Sequence, residues 1–347
     1  MKKTVLAFAV AAAMGVPAVA AADTTLYGRF NVSLDAVDND VDSSTQLASN
    51  GSRIGVRGSE DLGGGLRGVF QMEAGFDATQ GTGDLASRNT FVGLAGDFGE
   101  VRLGRHDTPY KISTLRLNYF ADMLGDMHNL AGSAAAESNA SRAFYVRPNN
   151  TIIYMTPSFD GFQAMASYTT DTRGEGDQPG EGSGDRDGYS LAVTFSSGPM
   201  YLTGAYETWN NWADGDEDPS AFKFGINYSF GDLSVAGLYE NVDAGGAVGD
   251  RDVFHLGARY SMGQTTLMAS YTHASDDDRA DTSADMFALG ASYSFSRRTN
   301  AYVSYAMVSN DDAASYGFNG TGKGKGVAAG EPGADVSGFQ VGVAHNF

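Results

Sequence analysis

Apolar and polar side chains alternate along the segment TLYGRFNVSLDAV near the start of the chain. Leu26, Phe30 and Val32 belong to one set, and Arg29 and Asp35 belong to the other. A period of two predicts a β-strand with one apolar face. Because the second face carries charges, we expect it to meet water rather than a hydrophobic core, as in a barrel with a wet lumen.

The same alternation recurs to the end of the chain and predicts sixteen strands, one of which is SRAFYVRPNNTIIYMTP. Short Gly-containing turns alternate with longer and often acidic connections, and an even number of strands puts both termini on one side. A β-propeller is the alternative, but a blade holds four strands and each repeat here is one hairpin. We predict one all-β domain over residues 23–347, a 16-stranded antiparallel transmembrane β-barrel.

One long segment interrupts this series, at residues 105–141. Loops of such length in a compact domain are usually functional or disordered. This one mixes aromatic, leucine and methionine side chains with Asp107, Asp122 and Asp126, so it can pack as well as carry charge. We predict a loop that folds back inside the barrel. The alternative is a structural plug that lines the wall without defining a pathway.

The chain begins with Lys2 and Lys3, followed by an Ala-rich apolar run that ends in small residues. This pattern predicts a secretory signal, cleaved so that residues 1–22 are lost. No later segment has the roughly 18 consecutive apolar residues of a membrane helix. The chain is therefore either soluble and exported or a transmembrane barrel.

Composition narrows the choice further. The chain has no cysteine, so no disulfide framework supports an exported protein of 347 residues, and stability must come from packing and closed hydrogen bonding. The formal net charge of −19 makes nucleic acid an improbable partner. The 46 glycines, 17 tyrosines and 20 phenylalanines favour turns and aromatic strands.

Several segments resemble, in order, those of the general porins of Gram-negative outer membranes. They are TLYGRF, SRIGVRGSEDLGGGL, VRLGRHDTP, RPNNTIIYMTPSFDGF and the terminal Phe347. The resemblance covers essentially the whole chain after the signal. It implies a homotrimer in the cell outer membrane, among lipid and lipopolysaccharide, whose third external loop, here residues 107–141, folds inward to narrow the pore. It also implies that the outer-membrane assembly machinery reads Phe347.

The resemblance further implies opposed charges at the narrowest point of the pore. The acidic side would consist of Asp107, Asp122 and Asp126. The basic side would consist of Arg29, Arg53, Arg88 and Arg147. Alternation supports Arg29 and Arg53 independently, because both lie out of phase with their apolar neighbours and should point into the lumen.

Other chemistry finds little support in the sequence. The five histidines have no metal-ligand spacing, and no G-x-S-x-G elbow is present, so we expect no metal, no cofactor and no enzyme activity. The acidic Gly-rich stretches do not fit a calcium-loop pattern. We favour solvated external loops over a calcium site, with loose divalent-cation contacts to neighbouring lipopolysaccharide as a hypothesis.

We therefore predict passive diffusion of small hydrophilic solutes and ions through a water-filled channel. The large negative charge of the chain favours cations at the mouth, whereas the four arginines that the resemblance places at the narrowest point would favour anions. We expect a preference for cations, because the excess of negative charge is large. Two alternatives stay open: a substrate-specific outer-membrane channel, and a structural or adhesive barrel with a plugged lumen.

Overall fold

The structure of the chain is a computed structural model that describes residues 23–133, 144–170, 187–210, 218–245, 249–318 and 326–347. The predicted signal, residues 1–22, and the end of the predicted constriction loop, residues 134–141, lie outside the described residues. Among the residues described, no helix is both long enough and apolar enough to cross a membrane.

Strands dominate the described residues and form one antiparallel sheet. In chain order they are β1 (Asp23–Asp38), β2 (Ser43–Ser49), β3 (Arg53–Gly63), β4 (Leu66–Asp77), β5 (Thr82–Asp84), β6 (Thr90–Gly96), β7 (Gly99–Arg105), β8 (Thr151–Met155), β9 (Phe162–Thr169), β10 (Asp187–Ser197), β11 (Met200–Asn210), β12 (Ser220–Phe230), β13 (Leu233–Asp243), β14 (Asp250–Met262), β15 (Thr265–Ala274), β16 (Ala284–Ser294), β17 (Thr299–Asn310) and β18 (Val336–Asn346). β1 pairs with β18, from Arg29 opposite Asn346 to Asp38 opposite Ser337, so the sheet closes into a barrel.

The eighteen segments occupy sixteen positions around the barrel, because two positions hold a broken strand. β2 and β3 both pair with β1 and are separated by residues 50–52. β5 and β6 both pair with β4 and are separated by residues 85–89. The predicted 16-stranded antiparallel barrel is confirmed, although the sequence pattern did not reveal β2 or β5, each of which is one half of a broken strand.

Alternation of burial along β1 shows which face of the strand points out of the barrel. Leu26 and Leu34 are 62% and 51% exposed, whereas Asn31 and Asp35 are fully buried. The apolar set therefore faces outward and the polar set faces the lumen, as the period of two predicted. This arrangement is the reverse of a soluble β-sandwich and suits a barrel surrounded by hydrocarbon.

β8 is shorter than the strand predicted from SRAFYVRPNNTIIYMTP. Pro148 has no amide hydrogen to donate, and Tyr145 and Asn150 both have positive φ. The carbonyl of Pro148 instead accepts a hydrogen bond from the amide of His106, at 3.3 Å. The residues before β8 thus pair with the start of the β7–β8 connection rather than with the barrel wall.

Two short helices lie in the described residues of the β7–β8 connection, which are 106–133 and 144–150. α1 (Pro109–Ile112) begins after Thr108, whose hydroxyl caps the helix by accepting from the Lys111 amide. A 3₁₀ turn (Met127–Asn129) begins after Asp126, whose carboxylate accepts from the His128 amide. We call residues 106–133, the first of the two described parts of this connection, the β7–β8 segment.

The β7–β8 segment packs against lumen-facing residues of many strands. Phe120, Leu124 and Leu130 join a buried cluster with Met268 and Met286 on the wall. Tyr110, at the other end of the segment, packs with Trp209 and Val242 in a second cluster.

Glycines on the wall make room for this packing. A Cβ at Gly225 would overlap Leu117, one at Gly290 would overlap Phe120, and one at Gly338 would overlap Leu124. Absence of side chains at these wall positions lets the large apolar residues of the β7–β8 segment lie directly on the strands.

Candidate functional site

Asp122 of the β7–β8 segment meets arginines on the first two barrel strands. Its Oδ2 lies 3.2 Å from Nη1 of Arg29 and 3.9 Å from Nη1 of Arg53. These three side chains are about one-quarter exposed, so their charges meet the water of the lumen. The structure therefore brings together one predicted acidic residue and two predicted basic residues.

The break between β2 and β3 helps to hold Asp122 in this position. Gly51 lies in the break with φ of +66°, and a Cβ there would come 2.9 Å from Oδ1 of Asp122. Asp122 itself has φ of +62°, in the left-handed region that Asp and Asn adopt more readily than other residues. The broken strand thus supplies both Arg53 and the space for its acidic partner.

Arg88 lies in the second break, between β5 and β6, and pairs with a residue that sequence reasoning did not select. Its Nε is 2.5 Å from Oε1 of Glu73 on β4, and Tyr27 donates to the other oxygen of Glu73 at 2.8 Å. Glu73 lies on the polar face of β4. Its place in the alternating sequence of that strand is the signal by which it could have been identified. Arg29, Arg88, Glu73 and Asp122 all act electrostatically on Arg53.

We call these five side chains the arginine cluster: Arg29, Arg53, Arg88, Glu73 and Asp122. Three guanidinium groups face two carboxylates, so the cluster carries one excess positive charge. The local balance is therefore opposite in sign to the charge of the whole chain, which is −19.

Arg147 belongs to a second group at the start of the β7–β8 segment. Its Nη2 is 2.9 Å from Oδ1 of Asp107, and Nζ of Lys111 is 2.8 Å from the same oxygen. Burial raises the pKa of Asp107, but the positive charges of Lys111 and Arg147 outweigh burial and hold that pKa well below its usual range. Asp107 and Arg147 therefore pair with each other, and Asn89 donates to the same carboxylate at 2.9 Å.

Asp126 has a different environment from Asp122, although both were predicted to face the arginines. It is buried, and its Oδ1 accepts from both the amide and Nδ1 of His128 at 2.9 Å. Its other oxygen accepts from the amide of Asp122 at 3.4 Å. Asp126 thus caps the 3₁₀ turn, and the structure records no ion pair between it and a predicted arginine in the described residues.

His106, at the base of the segment, is held between two groups. Its Nδ1 lies 2.7 Å from the Asp107 carbonyl, and its Nε2 lies 2.8 Å from Nη1 of Arg102. Burial lowers the pKa of His106, so the imidazole is neutral at pH 7. The neutral ring can donate through Nδ1 and accept from Arg102 through Nε2.

Buried charges on β12 to β14 anchor the segment on the far side of the barrel. The hydroxyl of Tyr110 donates to Glu240 at 2.8 Å, and Nζ of Lys223 lies 3.5 Å from the centre of the Tyr110 ring. Arg251 donates to the carbonyl of Leu130 at 3.0 Å. These wall residues were not predicted, because alternation shows that a residue faces the lumen but not that a loop covers it.

Comparison with known proteins identifies the family. The sequence profile of the Gram-negative porins matches residues 8–313. The chain belongs to the Gram-negative porin family. Outer membrane porin protein 32 of Delftia acidovorans is 33% identical to this porin over 368 residues, with all of both chains covered.

Two further comparisons agree. The major outer membrane protein P.IB of Neisseria gonorrhoeae is 27% identical over 343 residues, covering 88% of this porin and 92% of the relative. The solved structure of an anion-selective porin from Comamonas acidovorans superposes with a TM-score of 0.79 and 29% identity, covering 94% of this porin and 100% of that chain. The family and the closed barrel make this porin an outer-membrane protein with transmembrane strands.

Proposed function

We propose that this porin is a water-filled channel for passive diffusion of small hydrophilic solutes and ions, and that it catalyses no reaction. The observation that carries the proposal is the ion pairing of Asp122 with Arg29 and Arg53, because it places opposite charges on a loop and on the wall at one level of the lumen. We propose that residues 107–141 form the constriction. Opposed charges there orient water and polar solutes and exclude apolar ones.

We also propose that the channel prefers anions. The charge of the whole chain alone favours cations, but charges more than about 8 Å from an ion are largely screened at physiological salt. An ion in the lumen beside Arg29 and Arg53 is within contact distance of guanidinium groups, where two unit charges interact with about 4 kcal/mol at an effective dielectric constant of 20. The anion-selective porin of Comamonas acidovorans supports the same sign.

Assembly and export complete the proposal. We propose a homotrimer that contacts lipid and lipopolysaccharide, with residues 1–22 removed during export. Phe347 would be read by the outer-membrane assembly machinery. Its amide donates to the Gly28 carbonyl at 3.1 Å, and its ring lies 6.0 Å from that of Phe30, so the terminus is held at the outward face of the seam.

Reversal potentials across planar bilayers under a salt gradient test the function and its sign. We expect the wild-type trimer to conduct and to prefer chloride over potassium. Asp122→Asn should raise this preference at least about twofold, because it removes a negative charge beside two arginines. Asparagine also tolerates the positive φ at this position, so the backbone should be preserved.

Asp232→Asn provides the matched control, since Asp232 is exposed in the short turn between β12 and β13. It removes the same charge outside the lumen and should leave selectivity unchanged. A folded wild-type trimer without conductance would refute the channel. Cation preference in a conducting wild type would refute the proposed sign, and equal selectivity in D122N and wild type would mean that the loop is only packing.

A further inference from the structure

A cleft opens between the β7–β8 segment and the barrel wall, away from the arginine cluster. Its volume is about 500 Å³, and its lining includes Arg116 and Tyr119 of the segment and Tyr201, Asn227 and Arg259 of the wall. The turn between β10 and β11, at Gly198 and Pro199, also lines it. Short turns lie on the periplasmic side of outer-membrane barrels, so the cleft faces that side of the constriction.

Two arginines dominate the cleft. Both Arg116 and Arg259 are exposed, and Arg259 is in phase with the lumen-facing His255 and Gly257 on β14. In the part of the chain that the structure describes, neither arginine forms an ion pair with a carboxylate. The described residues that line the cleft include no acidic residue. This differs from the arginine cluster, where each guanidinium group has an acidic partner or neighbour.

The two guanidinium groups are held in place by aromatic rings. The Cζ of Arg116 lies 4.8 Å from the centre of the Tyr201 ring, and that of Arg259 lies 5.0 Å from the centre of the Tyr119 ring. Stacking of this kind orients an arginine without neutralising its charge, and it leaves the N–H groups at the edge of the guanidinium to donate.

A polar side chain on β12 links the two halves of the cleft. The side-chain amide of Asn227, through Nδ2, donates to the hydroxyl of Tyr119 at 2.6 Å and to the backbone carbonyl of Arg116 at 3.1 Å. Because the Tyr119 hydroxyl accepts from Asn227, its own hydrogen is left to donate. The segment and the wall thus present two guanidinium groups and a phenol hydroxyl around one water-filled space.

We propose that this cleft, the Arg116–Arg259 cleft, binds small oxyanions as they pass between the constriction and the periplasmic side. Phosphates and carboxylates fit because guanidinium groups donate two parallel hydrogen bonds to their oxygens. The cleft is more open than an enclosed ligand cavity and would hold an anion briefly. This inference rests on the proposed porin function and adds a solute class and a second site to it.

Block of the chloride current by inorganic phosphate tests the cleft. Phosphate added to each side of the bilayer in turn should reduce the wild-type current, more strongly from the short-turn side. In R116Q/R259Q, the phosphate concentration for half-block should rise roughly tenfold or more, because hydrogen bonds to charged groups are lost. R116K/R259K keeps both positive charges and should recover part of the block.

R297Q/R298Q is the matched control, because Arg297 and Arg298 are exposed in the short turn between β16 and β17. It removes two positive charges from the same side but not from the cleft, and its block should equal that of the wild type. The inference would be overturned if phosphate blocked R116Q/R259Q as strongly as the wild type. It would also be overturned if R297Q/R298Q lost as much phosphate block as R116Q/R259Q. A conducting, anion-preferring wild type without phosphate block would also overturn it while leaving the proposed function intact.

Discussion

Asp122 and Asp126 are four positions apart in ADMLGD, and the structure gives them different partners. Asp122 adopts a left-handed backbone conformation and points to Arg29 and Arg53. Asp126 adopts an extended conformation and turns its carboxylate toward His128. Backbone direction at a single residue therefore decides which carboxylate faces the lumen and which one caps a turn.

The lowered pKa of Asp107 predicts how the docking of the β7–β8 segment on the barrel wall depends on pH. The pKa of the Asp107 carboxyl in the folded protein is well below the value of about 3.9 for an unfolded chain, so its ion pairs stabilise the segment fully above that value. This stabilisation is lost as the pH falls from about 4 toward the folded pKa. Trp209, which packs with Tyr110, reports on the docking of the segment.

In W212F, Trp209 is the sole tryptophan, so its emission can be followed during acid titration. We expect constant emission between about pH 7 and pH 5 and a red shift that begins below about pH 4. D107N/W212F lacks this contribution at every pH, so its emission should already be red-shifted at pH 7 and should change less than that of W212F below about pH 4. Asp97→Asn, in an exposed turn, is the control. Superimposable W212F and D107N/W212F curves would show that Asp107 does not support the segment.

Close contact between the β7–β8 segment and the barrel wall depends on small residues in both the segment and the wall. The wall glycines under Leu117, Phe120 and Leu124 allow the segment to dock, and Gly125 of the segment lies directly on Ala288 of β16. Overlap at such a contact is hard to relieve, because a Cβ cannot rotate away as the end of a long side chain can. Docking of the segment thus depends on residues that carry no charge.

Gly125→Ala should displace the segment from β16 without unfolding the barrel. Overpacking of this kind typically costs about 1–3 kcal/mol. We expect faster tryptic cleavage after Lys111 or Arg116 and an altered single-channel conductance, with heat-resistant trimers retained. Gly68→Ala is the control, since its Cβ would have only Leu62 nearby, at 3.8 Å. The docking role of Gly125 would be refuted if both variants matched the wild type in cleavage and conductance.

Closure of the barrel joins the two ends of the chain into one seam. Gly28 and Phe347 exchange backbone hydrogen bonds of 3.1 Å, and a Cβ at Gly28 would overlap the Phe347 ring. An unpaired strand edge in hydrocarbon would leave backbone N–H and C=O groups unsatisfied at several kcal/mol each. Phe347 therefore completes the seam, and because it is 38% exposed it also remains accessible to the assembly machinery that we propose reads it.

Phe347→Ala separates these two roles. If the assembly machinery reads the terminal ring, F347A should reduce folded trimer in cell outer membranes several-fold, while refolding of purified chains in detergent stays close to wild type. Heat-dependent migration on gels measures both yields. Phe339→Ala, on the same strand and 49% exposed, should change neither. An equal loss of refolding in detergent would assign Phe347 to the seam alone.

Much of the fold and part of the site were predictable from the residues. Alternation indicates each strand and its lumen face, because successive side chains in a strand point to opposite sides, and Arg29 and Arg53 were placed in the lumen on that basis. The count of sixteen strands was predictable even though β2 and β5 were missed, since the other half of each broken strand, β3 or β6, marked the same barrel position. Pairing of Arg88 with Glu73, and of Arg147 with Asp107, was not predictable, because alternation carries no information about distance between strands.

The sequence by itself determined that the chain is a barrel with apolar residues outside and charges inside, because a period of two is a local property of the backbone. Only the tertiary structure decided that Asp122 meets the arginines while Asp126 caps a turn. Only the fold brings Arg116 and Arg259, 143 positions apart, into one cleft. The path of a long loop depends on where side chains of distant strands leave space and charge, and that is a property of the closed barrel.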